Sequence, residues 1–173
     1  MILPLIQKLD NRWPTQKEKA DLQAYLSTTK SRRAALDEIV ANADTVADSV
    51  VREIRAMYPQ FSKFHGSGYE KGKRDVALLT NITANCMFLG ESETIDHQFT
   101  IWYRTILKSV HVTPQFMADT LHSWQRHLDT ALSSEAYSLM KPYIHHFIDL
   151  LTDFAVPARP EVGDRVSQTA RKK

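Results

Sequence analysis

Cysteine is almost missing from this sequence: Cys86 is the one such residue in 173, which excludes an internal disulfide framework and a zinc site built on thiolates. There is no long apolar run either. The longest stretches, such as residues 144–151, are interrupted by His and Asp, so nothing approaches the roughly 20 apolar residues of a membrane span. Residues 1–6 are apolar but too short for a signal peptide, and no small-residue cleavage site follows them; the expected location is cytoplasmic. Charge of one sign is not in excess. The net charge is +2, and the basic residues are dispersed except for the last few, which argues against a nucleic-acid surface. Strand alternation and internal repeats are absent, as are a nucleophile elbow, a phosphate loop and a convincing carboxylate pair, so no enzyme is indicated.

Five glycines and seven prolines fall between segments of helical periodicity, where they mark helix boundaries. Thr15 after Pro14, with Glu18 three residues on, makes a capping box. Leu22, Tyr25 and Leu26 form a short apolar stripe behind it. A much longer helix is predicted over residues 31–58, with Leu36, Ile39, Val40, Ala43, Val46, Ala47, Val50, Val51, Ile54 and Met57 at steps of three and four, and Pro59 stops it. Residues 61–68 read as a loop. A helix carrying Leu78, Leu79, Ile82, Cys86 and Leu89 then runs to Gly90, and another spans residues 93–110. Thr113 and Pro114 open the next, with Phe116, Met117, Leu121, Trp124 and Leu128 on its apolar side. Ser134 is the expected cap of the last helix, which buries Met140, Tyr143, Ile144, Phe147, Ile148 and Leu151. Residues 1–156 form one helical domain and residues 157–173 a disordered tail. With 43% hydrophobic residues, the chain is long enough to bury one core, in a bundle or a globin-like packing.

The order of local motifs goes further than composition. Tyr25-Leu26, a short polar turn and the pair Arg32-Arg33 are followed by Ala41-Asn42-Ala43-Asp44 and by a helix ending at Tyr58-Pro59-Gln60. A glycine-rich loop, Gly66-Ser67-Gly68-Tyr69, then precedes Gly72-Lys73-Arg74-Asp75 and, eighteen residues on, a segment from Gly90 to Asp96. This ordered set, over residues 11–154, resembles the phycobilisome proteins, the bilin-carrying antenna subunits, in which a Cys-x-Arg-Asp motif opens the chromophore helix. The resemblance implies an all-α, globin-like domain with an N-terminal helical hairpin over residues 1–29, and a helix beginning at Gly72.

A bilin is an open-chain tetrapyrrole with four nitrogens and two propionates. Asp75 can accept hydrogen bonds from the pyrrole N–H groups and Arg74 can hold a propionate bidentately, with Lys71 and Lys73 as further propionate candidates. Gly72 and Asp75 share a helical face that Leu79 and Ile82 continue as an apolar floor. Gly72 stands where the family carries its attaching cysteine, so covalent attachment there is excluded. Cys86 shares nearly the same face but lies about 21 Å further along the axis, too far to substitute, and reads as a small buried hydrophobe. Leu78 and Leu79 stand where the family usually offers tyrosines. Any bilin is therefore held non-covalently.

Two other readings stand beside this one. The fold without a chromophore suits an assembly or interaction protein, and a haem-binding globin would draw on His97 or His111 as proximal ligand and His65 as distal partner. His122 and His127, like His145 and His146, are not spaced i and i+4 as a two-ligand helical metal site requires, and read as surface or packed residues. Trp102, Tyr103 and Trp124 read first as core aromatics. In phycobiliproteins the N-terminal hairpin packs on a partner subunit, so Leu22, Tyr25 and Leu26 are the expected interface with a second copy or a related subunit.

Overall fold

The computed structural model describes residues 12–59, 67–109 and 112–152. Residues 1–11, 60–66, 110–111 and 153–173 lie outside them, His65 and His111 among these, as do the side chains of residues 94, 97, 98, 102 and 107–109, which include His97 and Trp102. Among the described residues every regular element is a helix, and no helix is long and apolar enough to cross a membrane.

Helix α1 (Gln16–Ser27) starts where the capping box requires. The Glu18 N–H donates to Thr15 Oγ1 at 3.3 Å while the Thr15 N–H donates to Glu18 Oε2 at 2.8 Å, satisfying two donors that the first turn leaves open. Arg12 closes on the same carboxylate, and these bonds, Arg12's foremost, bring the Glu18 carboxyl down to about 2. No residue of α1 is buried. Of the hairpin expected over residues 1–29, the described part is this helix alone.

Thr28 alone separates α1 from α2 (Thr29–Met57). The junction is held by Arg32, a charged residue that is nonetheless 7% exposed. Its Nε donates to the Phe88 carbonyl at 3.0 Å and its Nη2 to the Tyr25 carbonyl at 3.0 Å, while the guanidinium carbon sits 3.6 Å from the Tyr25 ring centroid. The Tyr25 hydroxyl donates to the same Phe88 oxygen at 3.0 Å. A cation is well placed there, because Phe88 is in the last turn of the next helix and carries part of its negative dipole end.

Helix α3 (Gly68–Leu89) starts one turn earlier than Gly72: the Lys71 N–H already donates to the Ser67 carbonyl at 3.1 Å, and the Tyr69 hydroxyl is fixed on Asp48 of α2. It ends as expected at Gly90, whose φ of 68° is left-handed. Bonds from Gly90 N–H to Met87 O and from Glu91 N–H to Cys86 O complete a Schellman cap. Contacts of Asp48 with Tyr69, Val51 with Gly72 and Arg32 with Phe88 show α2 and α3 running antiparallel.

The helix expected over residues 93–110 opens with a π-helical segment, Thr94–Phe99, before α4 (Thr100–Ser109). Helix α5 (Pro114–Ala131) has its predicted cap, with the Phe116 N–H donating to Thr113 Oγ1 at 3.2 Å. For α6 (Ser134–Thr152) the cap is Ser133 rather than Ser134: the Ala136 N–H donates to Ser133 Oγ at 3.3 Å, and Glu38 of α2 accepts from the Ser133 N–H and hydroxyl. Pro142 departs from the rule that prolines fall between helices, since it lies inside α6; the cost is the lost bond to the Ser138 carbonyl.

The core forms where α2, α3, α5 and α6 meet. Ile39, Val46 and Val50 of α2 pack with Val76, Leu79 and Met87 of α3, Leu121, Trp124 and Leu128 of α5, and Met140, Ile144 and Phe147 of α6. Trp124 stands edge-on to Phe147 at 87° and donates from Nε1 to Thr80 Oγ1 at 2.8 Å. Two residues of the predicted α2 stripe, Val40 and Met57, are instead 51% and 46% exposed, because the stripe at steps of three and four is wider than the face its neighbours cover. This all-α, globin-like packing leaves the N-terminal halves of α3 and α5 without mutual filling beside the last turns of α2.

Candidate functional site

That gap is a cavity of about 400 Å³, within the range of roughly 300–1,000 Å³ common for small-molecule sites. Its walls are apolar: Val50, Val51 and Ile54 come from α2, Val76 from α3, Ile106 from α4, and Phe116 and Met117 from α5. The spacing explains this, since Val50, Val51 and Ile54 carry the α2 stripe from the core to the cavity. Phe116 is held in place by the edge of the Tyr58 ring, 5.0 Å between centroids, and the Tyr58 hydroxyl donates to Asp119.

Polar groups enter the cavity chiefly from the first two turns of α3. Lys71, Gly72, Arg74 and Asp75 all line it, as does Arg55 from the last turn of α2. Arg74 folds back on its neighbour, with Nε and Nη2 at 3.2 and 2.9 Å from Asp75 Oδ1. Arg74 is 73% exposed and Asp75 38%, so this pair contributes at most about 1 kcal/mol and opens readily. Tyr103 of α4 also lines the space, stacked on Phe99 at 4.9 Å. Burial, and then the charge of Asp75, push its phenol far above the ordinary range, so it stays a neutral hydroxyl at any physiological pH.

Gly72 faces α2. A Cβ built there would lie 3.4 and 3.8 Å from the two γ-carbons of Val51, ordinary van der Waals contact. The position has room for a side chain and offers no nucleophile.

Three sequence candidates lie elsewhere. Lys73 points to the other side of α3, where its ammonium is 3.8 Å from Asp48 Oδ1. Leu79 is 4% exposed in the core and Ile82 packs half-buried against it; neither lines the cavity, which ends above the level where Trp124 meets Thr80. Cys86 is 2% exposed, and burial raises its thiol to about 11. Of the proposed interface, Leu22 and Tyr25 are half-buried and Leu26 is 57% exposed. Tyr25 also serves its own chain, through Phe88 and Arg32.

Three of the described histidines are tied to groups on other helices, away from the cavity. His127 Nε2 is 2.9 Å from Glu53 Oε2, His146 pairs with Asp96, and His145 Nε2 is 3.1 Å from Gln125 Nε2. His65 and His111 are outside the described residues.

Arg55 and Phe116 were missed as site residues. A signal existed for the first, because Arg55 follows Val51 by four residues and so extends the α2 face opposite Gly72. Among functionally curated proteins no match is found. A match to the phycobilisome protein family spans residues 5–151, most of the chain, and the chain belongs to that family.

Proposed function

We propose that this protein is a phycobilisome-type subunit that holds an open-chain tetrapyrrole without a covalent bond, in a light-harvesting or bilin-handling role. The observation that carries this is the juxtaposition, in one apolar cavity, of Gly72, Arg74 and Asp75 with Lys71 at the rim. The walls suit a flat conjugated body, which removal from water stabilises by about 25 cal/mol per Å² of apolar surface. Asp75 accepts from the pyrrole N–H groups, while Arg74 and Lys71 take an acid side chain. The Arg74–Asp75 pair must open for this, at a cost of at most about 1 kcal/mol for so exposed a pair, small against the area term.

An absorption titration of the purified protein with biliverdin or phycocyanobilin, run in parallel with haemin, tests it. A saturable, red-shifted and sharpened bilin band that weakens in Asp75→Ala and Arg74→Ala is expected. Titration curves unaffected by either substitution would show that the pigment sits elsewhere, and a Soret shift with haemin alone would support a globin reading.

A chromophore-free partner protein is the second reading. It is favoured by the Arg74–Asp75 pair, which satisfies both groups internally, and by Trp13 at 91% and Leu26 at 57% exposure. In either case the partner is a second copy or a related subunit docking on the N-terminal helix. Replacing Leu26 with Asp is expected to lower the mass measured by light scattering; an unchanged mass removes this surface from the interface.

A further inference from the structure

The cavity lining carries three cations, Arg55, Lys71 and Arg74, against one carboxylate, Asp75. Arg74 is engaged by Asp75. Arg55 and Lys71 make no ion pair or side-chain hydrogen bond among the described residues, and neighbouring acids are occupied: Asp119 accepts from Tyr58 and from Gln115 at 3.0 Å, and Asp48 from Tyr69, Arg52 and Lys73. Among the described residues two positive charges at the cavity are therefore uncompensated, which is the charge of a ligand with two carboxylates.

The positions of the cations are as informative as their number. In the antiparallel α2–α3 pair Val51 faces Gly72, so Arg55, one turn further along α2, stands level with Gly68, the first residue of α3. Arg74 lies six residues further along α3, about 9 Å of helix rise away. The cations thus span the cavity along α3, with Arg55 at one end, Arg74 about 9 Å away at the other and Lys71 midway between them. At the Arg55 end the open N–H groups of the α3 N-terminus add to the attraction for an anion. Glu70, the acidic residue of that first turn, lines a separate shallow depression on the other side of α3.

We infer that Arg55 is the anchor for a second carboxylate of the ligand, so that the site selects an apolar molecule bearing two separated acid groups over its uncharged or singly charged counterparts. This rests on the bilin reading above and adds to it a residue outside the Gly72–Asp75 motif. Arg55 is exposed and touches no carboxylate among the described residues, so its loss is expected to leave the fold intact and to act on binding.

The test compares biliverdin with its dimethyl ester, by absorption titration of the full chain and of Arg55→Gln, Arg55→Lys and Arg52→Gln. Arg52 is the control, an arginine on the same helix that pairs with Asp48 and does not line the cavity. Wild type is expected to bind the diacid at least tenfold more tightly than the ester. Arg55→Gln is expected to weaken the diacid about tenfold, as for loss of one charge-assisted contact at a partly exposed site, and to leave the ester unchanged; Arg55→Lys recovers part of the loss and Arg52→Gln behaves as wild type. Diacid binding that Arg55→Gln does not alter, or an equal loss for the ester, overturns this assignment while the bilin reading stands. Failure of wild type to bind either form overturns the bilin reading, and the role of Arg55 with it.

Discussion

Gly72 within α3 and Gly90 just after its end have opposite predicted responses to the same substitution. Gly72 lies in the helix interior with negative φ, and a methyl there meets Val51 at 3.4 Å, ordinary contact. Glycine in such a position costs roughly 0.5–1 kcal/mol relative to alanine, through the backbone freedom lost on folding. Gly72→Ala is therefore expected to stabilise the protein by about that amount, raising Tm by roughly 1–4 °C for a chain of this size. Gly90 is the reverse. Its φ of 68° costs a side-chain-bearing residue about 1–2 kcal/mol, and its Cβ would also stand 3.3 Å from the Tyr25 ring, so Gly90→Ala is expected to lower Tm by roughly 2–8 °C. Thermal denaturation followed by circular dichroism, with both variants and wild type under one condition, measures the two signs together. A lower Tm for Gly72→Ala would refute the reasoning, since it would mean that the approach of α3 to α2 needs a bare backbone. The same space admits Gly72→Cys, whose thiol can add across the exocyclic ethylidene double bond of phycocyanobilin, its proton passing to the neighbouring carbon. Pigment that stays on the denatured chain in this variant alone is the expected result.

Further outcomes follow from the core and from the ion pairs. Trp124→Phe loses one buried hydrogen bond to Thr80, about 1 kcal/mol, and leaves a void of about 40 Å³, roughly 1 kcal/mol more; urea unfolding should show a loss near 2 kcal/mol, and no loss would mean that the indole N–H contributes nothing. Cys86, with its thiol raised to about 11 and 2% of its surface exposed, is expected to stay unreacted with a thiol reagent at pH 8 until the protein unfolds, and rapid labelling of native protein would contradict its burial. Glu53 is held below its ordinary 4.5 by Ser123 first and also by Arg126 and His127. A depressed carboxyl stabilises the fold above its unfolded pKa and ceases to do so as pH falls through its folded one. Glu53→Gln should thus lower Tm at pH 7, with the difference closing as pH falls below about 4.5 through the lowered folded value; a difference that does not shrink on acidification would assign the effect to packing instead.

Legibility in the sequence followed the range of the forces involved. The caps at Thr15, Thr113 and Gly90 are local hydrogen-bonding devices, and each is where the residues placed it. The start of α3 was obscured because two glycines and a serine read as a loop, while its first turn is fixed by Tyr69 reaching Asp48 twenty-one residues away. Ser133 rather than Ser134 caps α6 through Glu38, ninety-five residues distant. Burial of Arg32 was equally out of reach, since the carbonyl that accepts from it belongs to another helix. At the cavity, the spacing of Gly72, Arg74 and Asp75 was visible as a motif. Periodicity alone had no means of showing where the cavity ends, and so did not show that of the core residues Val76 and Leu79 only Val76 also lines it.

The double use of the Phe88 carbonyl has a mechanical consequence. Helix α3, about 33 Å long, has the cavity at one end and at the other an oxygen gripped by both Tyr25 and Arg32 at 3.0 Å. A carbonyl of a last helical turn points along the axis, so sliding α3 away from these donors by even 1 Å would take both bonds beyond hydrogen-bonding range. The helix is therefore pinned against sliding: what happens at Gly72 is absorbed by side chains, and the position of α1 relative to the body is insulated from whatever the cavity holds.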